Sequence, residues 1–329
     1  MTPRRVSIWV GLLALLAATP IAIAAAGFPL RLVARVALPG ASNRFDYTSV
    51  DDSTRRLYIA HMNSSELLVF DLKTRKVIKT IAAAGVHGVI AVPQLGRVFA
   101  SATNDRQVLT IDARTFKVTA RAPAGSYPDG LVYDPVERHV FVSDEAGGVE
   151  TVLNARGNRI ATIPLGGEAG NVQYDAGSRR VFADVQSRNE VAVIDPQRNA
   201  VVSRIRVACA HPHGLLIDSP HRLAFVACDG DATLLTLDLR TLKVTGRASV
   251  GPSPDVLAFD PGLGRLYVAA ESGVVAVFAE HGRSLQKLGQ TSLAPAAHTV
   301  AVDPRTHLVY FPLEQGSSGS PQLLVMKPR

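Results

Sequence analysis

The sequence predicts an all-β chain folded as a seven-bladed β-propeller of four-stranded antiparallel blades, its ring closed by the N-terminal strand. Three observations predict it. A pattern of apolar run, Asp-Pro-type turn and second apolar run recurs at nearly constant spacing, its copies number seven, and the last copy lacks a fourth strand that the start of the chain can supply.

The fullest copy is Pro254 to Phe278, PDVLAFDPGLGRLYVAAESGVVAVF. Aligned on the residue ending each first strand, the copies fall at Asp51, Val92, Asp134, Asp175, Asp218, Asp260 and Asp303, in steps of 41, 42, 41, 43, 42 and 43. Such regularity marks an array of repeats. Second strands follow as LYIA (57–60), VFAS (98–101), VFVS (140–143), VFAD (181–184), AFVA (224–227), LYVA (266–269) and VYFP (309–312), short β-branched and aromatic runs between turn residues. Third strands end near Asp71, Asp112, Asn154, Asp195, Asp238, Ala279 and Lys327. Several continue as Asp-x-x-Thr, where the carboxylate is expected to cap the turn.

Fourth strands are amphipathic and basic: KVIKTIA from Lys76, KVTARAP from Lys117, NRIATIP from Asn158, VVSRIRV from Val201 and KVTGRAS from Lys243. Positive charge on an outer strand resists pairing with another chain. The last copy ends at Arg329 without such a strand, whereas RLVARVALPG (31–40) reads like KVTGRASVG (243–251) and is expected to close the ring. Closure removes the open edge of a linear array.

No linker or composition shift divides residues 27–329, so one domain is expected there. Residues 1–26 carry Arg4 and Arg5, an apolar run from Val6 to Ala24, and then Ala25-Ala26-Gly27, the pattern of a signal peptide cleaved after Ala24 or Ala26. The run is also long enough to serve as a membrane anchor. Cleavage is the expectation, giving a periplasmic or secreted monomer without a membrane span. Its formal charge of +7 then falls to +5 with the loss of the two arginines. The basic residues are spread over seven blade edges rather than gathered with aromatics in one groove, which argues against nucleic acid as a partner. The sole Trp is Trp9, so a WD-type repeat is not expected.

The chain resembles the YVTN-repeat (YncE-like) β-propellers of bacterial envelopes and secretions. The resemblance rests on RLYIA (56–60), RLYVA (265–269), VAVID (191–195) and GPSPD (251–255), with Ala or Ser where the consensus has Thr-Asn. It implies the fold, and it carries no catalytic residue across.

Chemistry is expected on the face bearing the fourth-to-first and second-to-third loops. Five residues before each anchor stand Asp46, His87, Asp129, Gly170, His213, Asp255 and His298. Three of the nine histidines share this position, while His139, His221 and His307 lie in turns of the opposite face. Such a rim of imidazole and carboxylate can hold a divalent metal ion or a polar ligand, for instance through His298, Asp46 and His87. Equally, it can be a belt of Asp-His hydrogen bonds between inner strands. Cys209 and Cys228 map to the same face and are expected to form a disulfide in an exported protein. The alternative joins them with His211 and His213 in a zinc or copper site. The loop Glu314–Pro321 reads as a surface insertion or as a lid beside His298.

Nucleotide-binding, zincin and α/β-hydrolase signatures are absent. Two functions remain: an exported scaffold binding a protein or small molecule on its loop face, and a metal-dependent enzyme of lactonase or lyase type acting at the channel mouth.

Overall fold

A computed structural model of the chain describes residues 27–316 and 319–329, so residues 1–26, where a signal peptide is expected, and Ser317-Ser318 of the Glu314–Pro321 loop lie outside the described residues. The described residues form seven four-stranded antiparallel sheets, six of them built from strands consecutive in the chain. Blade 6 is typical, with an inner strand Pro254–Asp260, a second strand Arg265–Ala270, a third Val274–His281 and an outer strand Ser284–Ser292. The seventh sheet takes its outer strand from Leu30–Ala37, which pairs antiparallel with Gln322–Pro328 from Leu30↔Pro328 to Ala37↔Gln322. No helix among the described residues is long and apolar enough to cross a membrane.

Alternation makes each sheet two-sided, and the circular arrangement buries both sides. The apolar residues accordingly sort into seven clusters, each shared by two successive blades. One aromatic at the same place in every second strand anchors them: Tyr58, Phe99, Phe141, Phe182, Phe225, Tyr267 and Tyr310, all at most 2% exposed. In blades 1 to 6 a β-bulge separates third and outer strands, for example at Val69/Phe70 and Val277/Phe278. A bulge there adds the twist by which outer strands swing away from the axis.

On the turn face the anchor aspartates do two jobs. Asp51 Oδ1 accepts from the backbone N–H groups of Ser53 (2.9 Å) and Thr54 (3.1 Å), capping its own turn. In three blades the anchor also meets a basic side chain from the next blade. Arg55 donates to Asp303 (2.8 Å), Arg222 pairs with Asp175 (3.2 Å), and His307 meets Asp260 (2.8 Å). Each of these basic residues occupies a left-handed turn position, with φ of 56° to 59°. These ties join blades that the apolar clusters already pack together.

Removing one of the seven aromatics should leave a cavity between two blades. Phe182→Ala is expected to cost about 3–5 kcal/mol, to be measured as the fall in unfolding free energy by urea denaturation.

Candidate functional site

The inner strands lose their regular pairing where the rim residues stand. Register shifts at Val86/Val89, Pro128/Leu131, Ala169/Val172, Pro212/Gly214 and Pro254/Leu257 bracket His87, Asp129, Gly170, His213 and Asp255. Freed from the ladder, these residues line the axis. Small neighbours are required beside them, because a Cβ on Gly88 or Gly214 would come 2.1 Å from the carbonyl oxygen of Asp129 or Asp255 on the adjoining blade.

Asp46, His87, Asp129, His213 and Asp255 open into one cavity of ≈ 490 Å³ at the channel mouth. His298 is buried behind it at 1% exposure. Asp255 is the hub, with one carboxylate oxygen 3.1 Å from His213 Nε2 and the other 4.0 Å from His298 Nε2. His298 Nδ1 lies 2.9 Å from the Ala296 carbonyl, to which it donates, and 3.5 Å from Glu271 Oε2. Its Nε2 is buried without a hydrogen-bond partner. His87 is differently placed: Nδ1 donates to the Gly85 carbonyl (2.8 Å), so Nε2 accepts from the Tyr127 hydroxyl (2.8 Å). The trio His298, Asp46 and His87 does not converge. Among the described residues of this face, the ligand atoms that gather within 4.8 Å belong to Asp255, Glu271 and His298.

Charge in the mouth is unevenly compensated. Burial, then the like charge of Asp255, raises the pKa of Asp46 against the pull of Arg44. Burial and Asp46 push Asp129 well above the ordinary carboxylate range, and its Oδ1 has no hydrogen-bond partner. For Asp255 burial is outweighed by the hydrogen bond and charge of His213, and its pKa is lowered.

Several partners were not singled out by the repeat position. Arg44 reaches Glu271 (2.6 Å) and Asp46 (3.5 Å). Glu145, Asp229 and Glu271 come from second-to-third loops, a location that the repeat predicts to face the mouth. Tyr47 stands where blades 2, 3 and 5 have Gly88, Gly130 and Gly214, and its hydroxyl crosses the axis to donate to Asn171 Oδ1 at 2.8 Å. It separates the mouth from a smaller cavity of ≈ 180 Å³ lower in the channel. In blade 4, Gly170 supplies no side chain, and Asp184 from the second strand fills the place, since a Cβ on Gly170 would lie 2.9 Å from Asp184 Cβ. Asp184 is fully buried with neither oxygen hydrogen-bonded, and burial lifts its pKa well above the ordinary range against the attraction of His213. An Asp among Ala, Ser and Pro at that strand position, opposite a lone Gly, was the available signal.

Cys209 and Cys228 are joined by a disulfide with Cα atoms 6.1 Å apart. It ties the loop before His213 to the end of the second strand of blade 5, and closure of such a loop contributes about 3 kcal/mol. With both sulfurs bonded, no thiolate is available for a zinc or copper set with His211 and His213. The His211 backbone instead closes the loop, its N–H donating to Asn189 Oδ1 (2.9 Å) and its carbonyl accepting from Asp229 N–H (2.8 Å).

Burial disfavours a charge on His213, but the hydrogen bond to Asp255 and that carboxylate's charge outweigh it and raise the pKa to about 10. A raised imidazole pKa stabilises the fold fully below its unfolded value of about 6.5 and loses that contribution as pH climbs through the folded value. The melting-temperature difference between the wild type and His213→Gln should therefore shrink steadily from pH 7 to 10, as followed by circular dichroism.

No protein-family model matches the chain. The uncharacterized protein YncE of Salmonella typhi, like that of Salmonella typhimurium, is 26% identical over 104 residues, 32% of this chain. The match spans 30% of the length of those relatives. A chain of the Kuenenia stuttgartiensis hydrazine synthase superposes with a TM-score of 0.72 at 14% identity, covering 85% of this chain and 94% of that one. At that identity the likeness is one of fold alone. The local match and the seven-bladed architecture together fit a YncE-like propeller family.

Proposed function

We propose that this chain is an exported propeller that binds a small cationic or polar ligand at its channel mouth and catalyses no reaction on it. The observation carrying this reading is an inversion of charge. The chain is basic overall, at +7, yet Asp46, Asp129, Glu145, Asp229, Asp255 and Glu271 all face one cavity. Arg44 and His213 offset two of these six carboxylates. A cationic group entering the mouth would supply charge that Asp129 lacks and would give its Oδ1 a donor. Loops carried on a rigid ring of strands favour such a pre-formed site. Export is supported by the signal-peptide pattern of residues 1–26 and by the disulfide, which suits an oxidising compartment. Titration with aliphatic diamines in a thermal-shift assay is expected to raise the melting temperature of the wild type and to leave Asp129→Asn with Glu271→Gln unshifted. Diamines that shift both proteins equally would move the binding site away from the mouth.

A second reading, a metal-dependent enzyme of lactonase or lyase type, is favoured by Asp255, Glu271 and His298. Two carboxylates and an imidazole whose free Nε2 is set by a backbone carbonyl make a donor set for a divalent ion. Such an ion would polarise a carbonyl or activate a water molecule. Elemental analysis of untagged protein is expected on this reading to find near-stoichiometric metal that His298→Ala removes. Metal-free wild-type protein would eliminate the reading and leave the binding scaffold.

A further inference from the structure

Away from the mouth, the turn face carries a cationic groove between blades 2 and 3 that the repeat itself explains. Five blades place a basic residue at the same left-handed turn position: Arg55, Arg138, Arg179, Arg222 and His307. Three of them pair with the anchor aspartate of the preceding blade. For Arg179 the preceding anchor is Asp134. For Arg138 alone it is apolar, because Val92 stands in the aspartate's place and is buried among Phe99, Val108 and Val140. A second carboxylate is missing beside it. Third strands end in Asp71, Asp112, Asp195 and Asp238 in blades 1, 2, 4 and 5, whereas blade 3 has Asn154. Where blade 4 pairs Arg180 with Asp195 (3.3 Å), blade 3 sets His139 opposite a neutral amide.

Both substitutions delete negative charge at one spot while the cations stay. Over the buried Val92, and with Asn154 in its wall, a cavity of ≈ 530 Å³ holds Arg97, Arg138, Arg156 and His139 against a single carboxylate, Glu137. The Arg138 and Arg156 guanidiniums make no hydrogen bond or ion pair among the described residues, and His139 Nδ1 is buried without a partner.. Arg97 spends one nitrogen on the Ala155 carbonyl. Asn154 Oδ1 accepts from the backbone of Arg156 (2.9 Å) and Asn158 (3.1 Å), which leaves its NH₂ as the free polar group of a residue in the groove wall. The groove thus offers donors in forks, with acceptors scarce, and carries an excess of two positive charges over Glu137.

We propose that this groove binds the phosphate group of a small phosphorylated molecule, Arg138 and Arg156 clamping the oxyanion. Planar guanidinium forks match the oxygens of a tetrahedral oxyanion in pairs, and a phosphate dianion balances the excess charge. The cavity leaves room for the organic group that carries the phosphate.

The test is isothermal titration calorimetry of the full chain at low ionic strength, with inorganic phosphate and glycerol 3-phosphate as probes and sodium chloride as the control. Tighter binding of the ester would support the proposal as stated, and equal binding would support the same clamp acting on free phosphate. Arg138→Gln and Arg156→Gln lie on exposed turns and should each weaken binding about tenfold or more. Val92→Asp restores the missing carboxylate and should abolish binding by pairing with Arg138. Should Val92→Asp fail to fold, the two exposed variants decide the matter. Absence of binding by either probe, or binding unchanged in Arg138→Gln and Arg156→Gln, would overturn the proposal.

Discussion

The two ends of the described chain meet in one sheet, and everything else in the molecule depends on that pairing. Without Leu30–Ala37 the seventh blade would have three strands, and Gln322–Pro328 would present unpaired backbone groups to solvent. The apolar cluster between blades 7 and 1 would also lose contacts, because Val33, Ala34 and Val36 of that strand pack against Phe45, Tyr310 and Leu323 there. Closure is a contact between residues almost a full chain length apart, so its entropy must be met before the last interface forms. Once made, it holds seven inner strands at fixed angles around the axis. The mouth is a consequence of closure, since its lining residues come from blades that touch only because the ring is complete.

The same geometry explains the electrostatics. Inner strands converge so tightly that glycine is needed beside the rim residues, and side chains at the rim are consequently buried together. Carboxylates forced into common burial cannot all stay ionised without counter-charges. The molecule meets this unevenly. Asp255 is given His213 and keeps a lowered pKa, while Asp129 and Asp184 are left with raised ones. On the turn face the anchor aspartates are equally buried, but they cap turns and receive cations from the neighbouring blade. Carboxylates on that face fasten blades together. At the mouth several of them are uncompensated, which is the condition expected of a surface that waits for something else.

Much of the architecture was legible from spacing alone, because strand and turn chemistry repeats within two residues of constancy and any slip would turn apolar faces outward. The six Asp and His positions were legible for the same reason, being one register position read seven times. What the register could not convey was direction. His87 and His298 are equivalent in the alignment, yet one imidazole is committed to Tyr127 and the other has a free nitrogen facing Asp255. Arg44 and Glu271 lie 227 residues apart and meet only after closure. Tyr47 and Asp184 were exceptions to the pattern, and exceptions carry information that a consensus discards. Val92 is the clearest instance, since its meaning emerged only once Arg222 and His307 had shown what an aspartate in its place does.

The hydrogen bond between Tyr47 and Asn171 joins blade 1 to blade 4, nearly across the ring. It acts as a cross-strut in a wheel that otherwise has only a rim. A hollow ring can flex into an oval at little cost, whereas a braced one resists, so the spacing of the mouth residues is held from inside as well as by packing at the circumference. Tyr47 lines both the mouth cavity and the smaller one below it, so the strut is also the floor of the mouth.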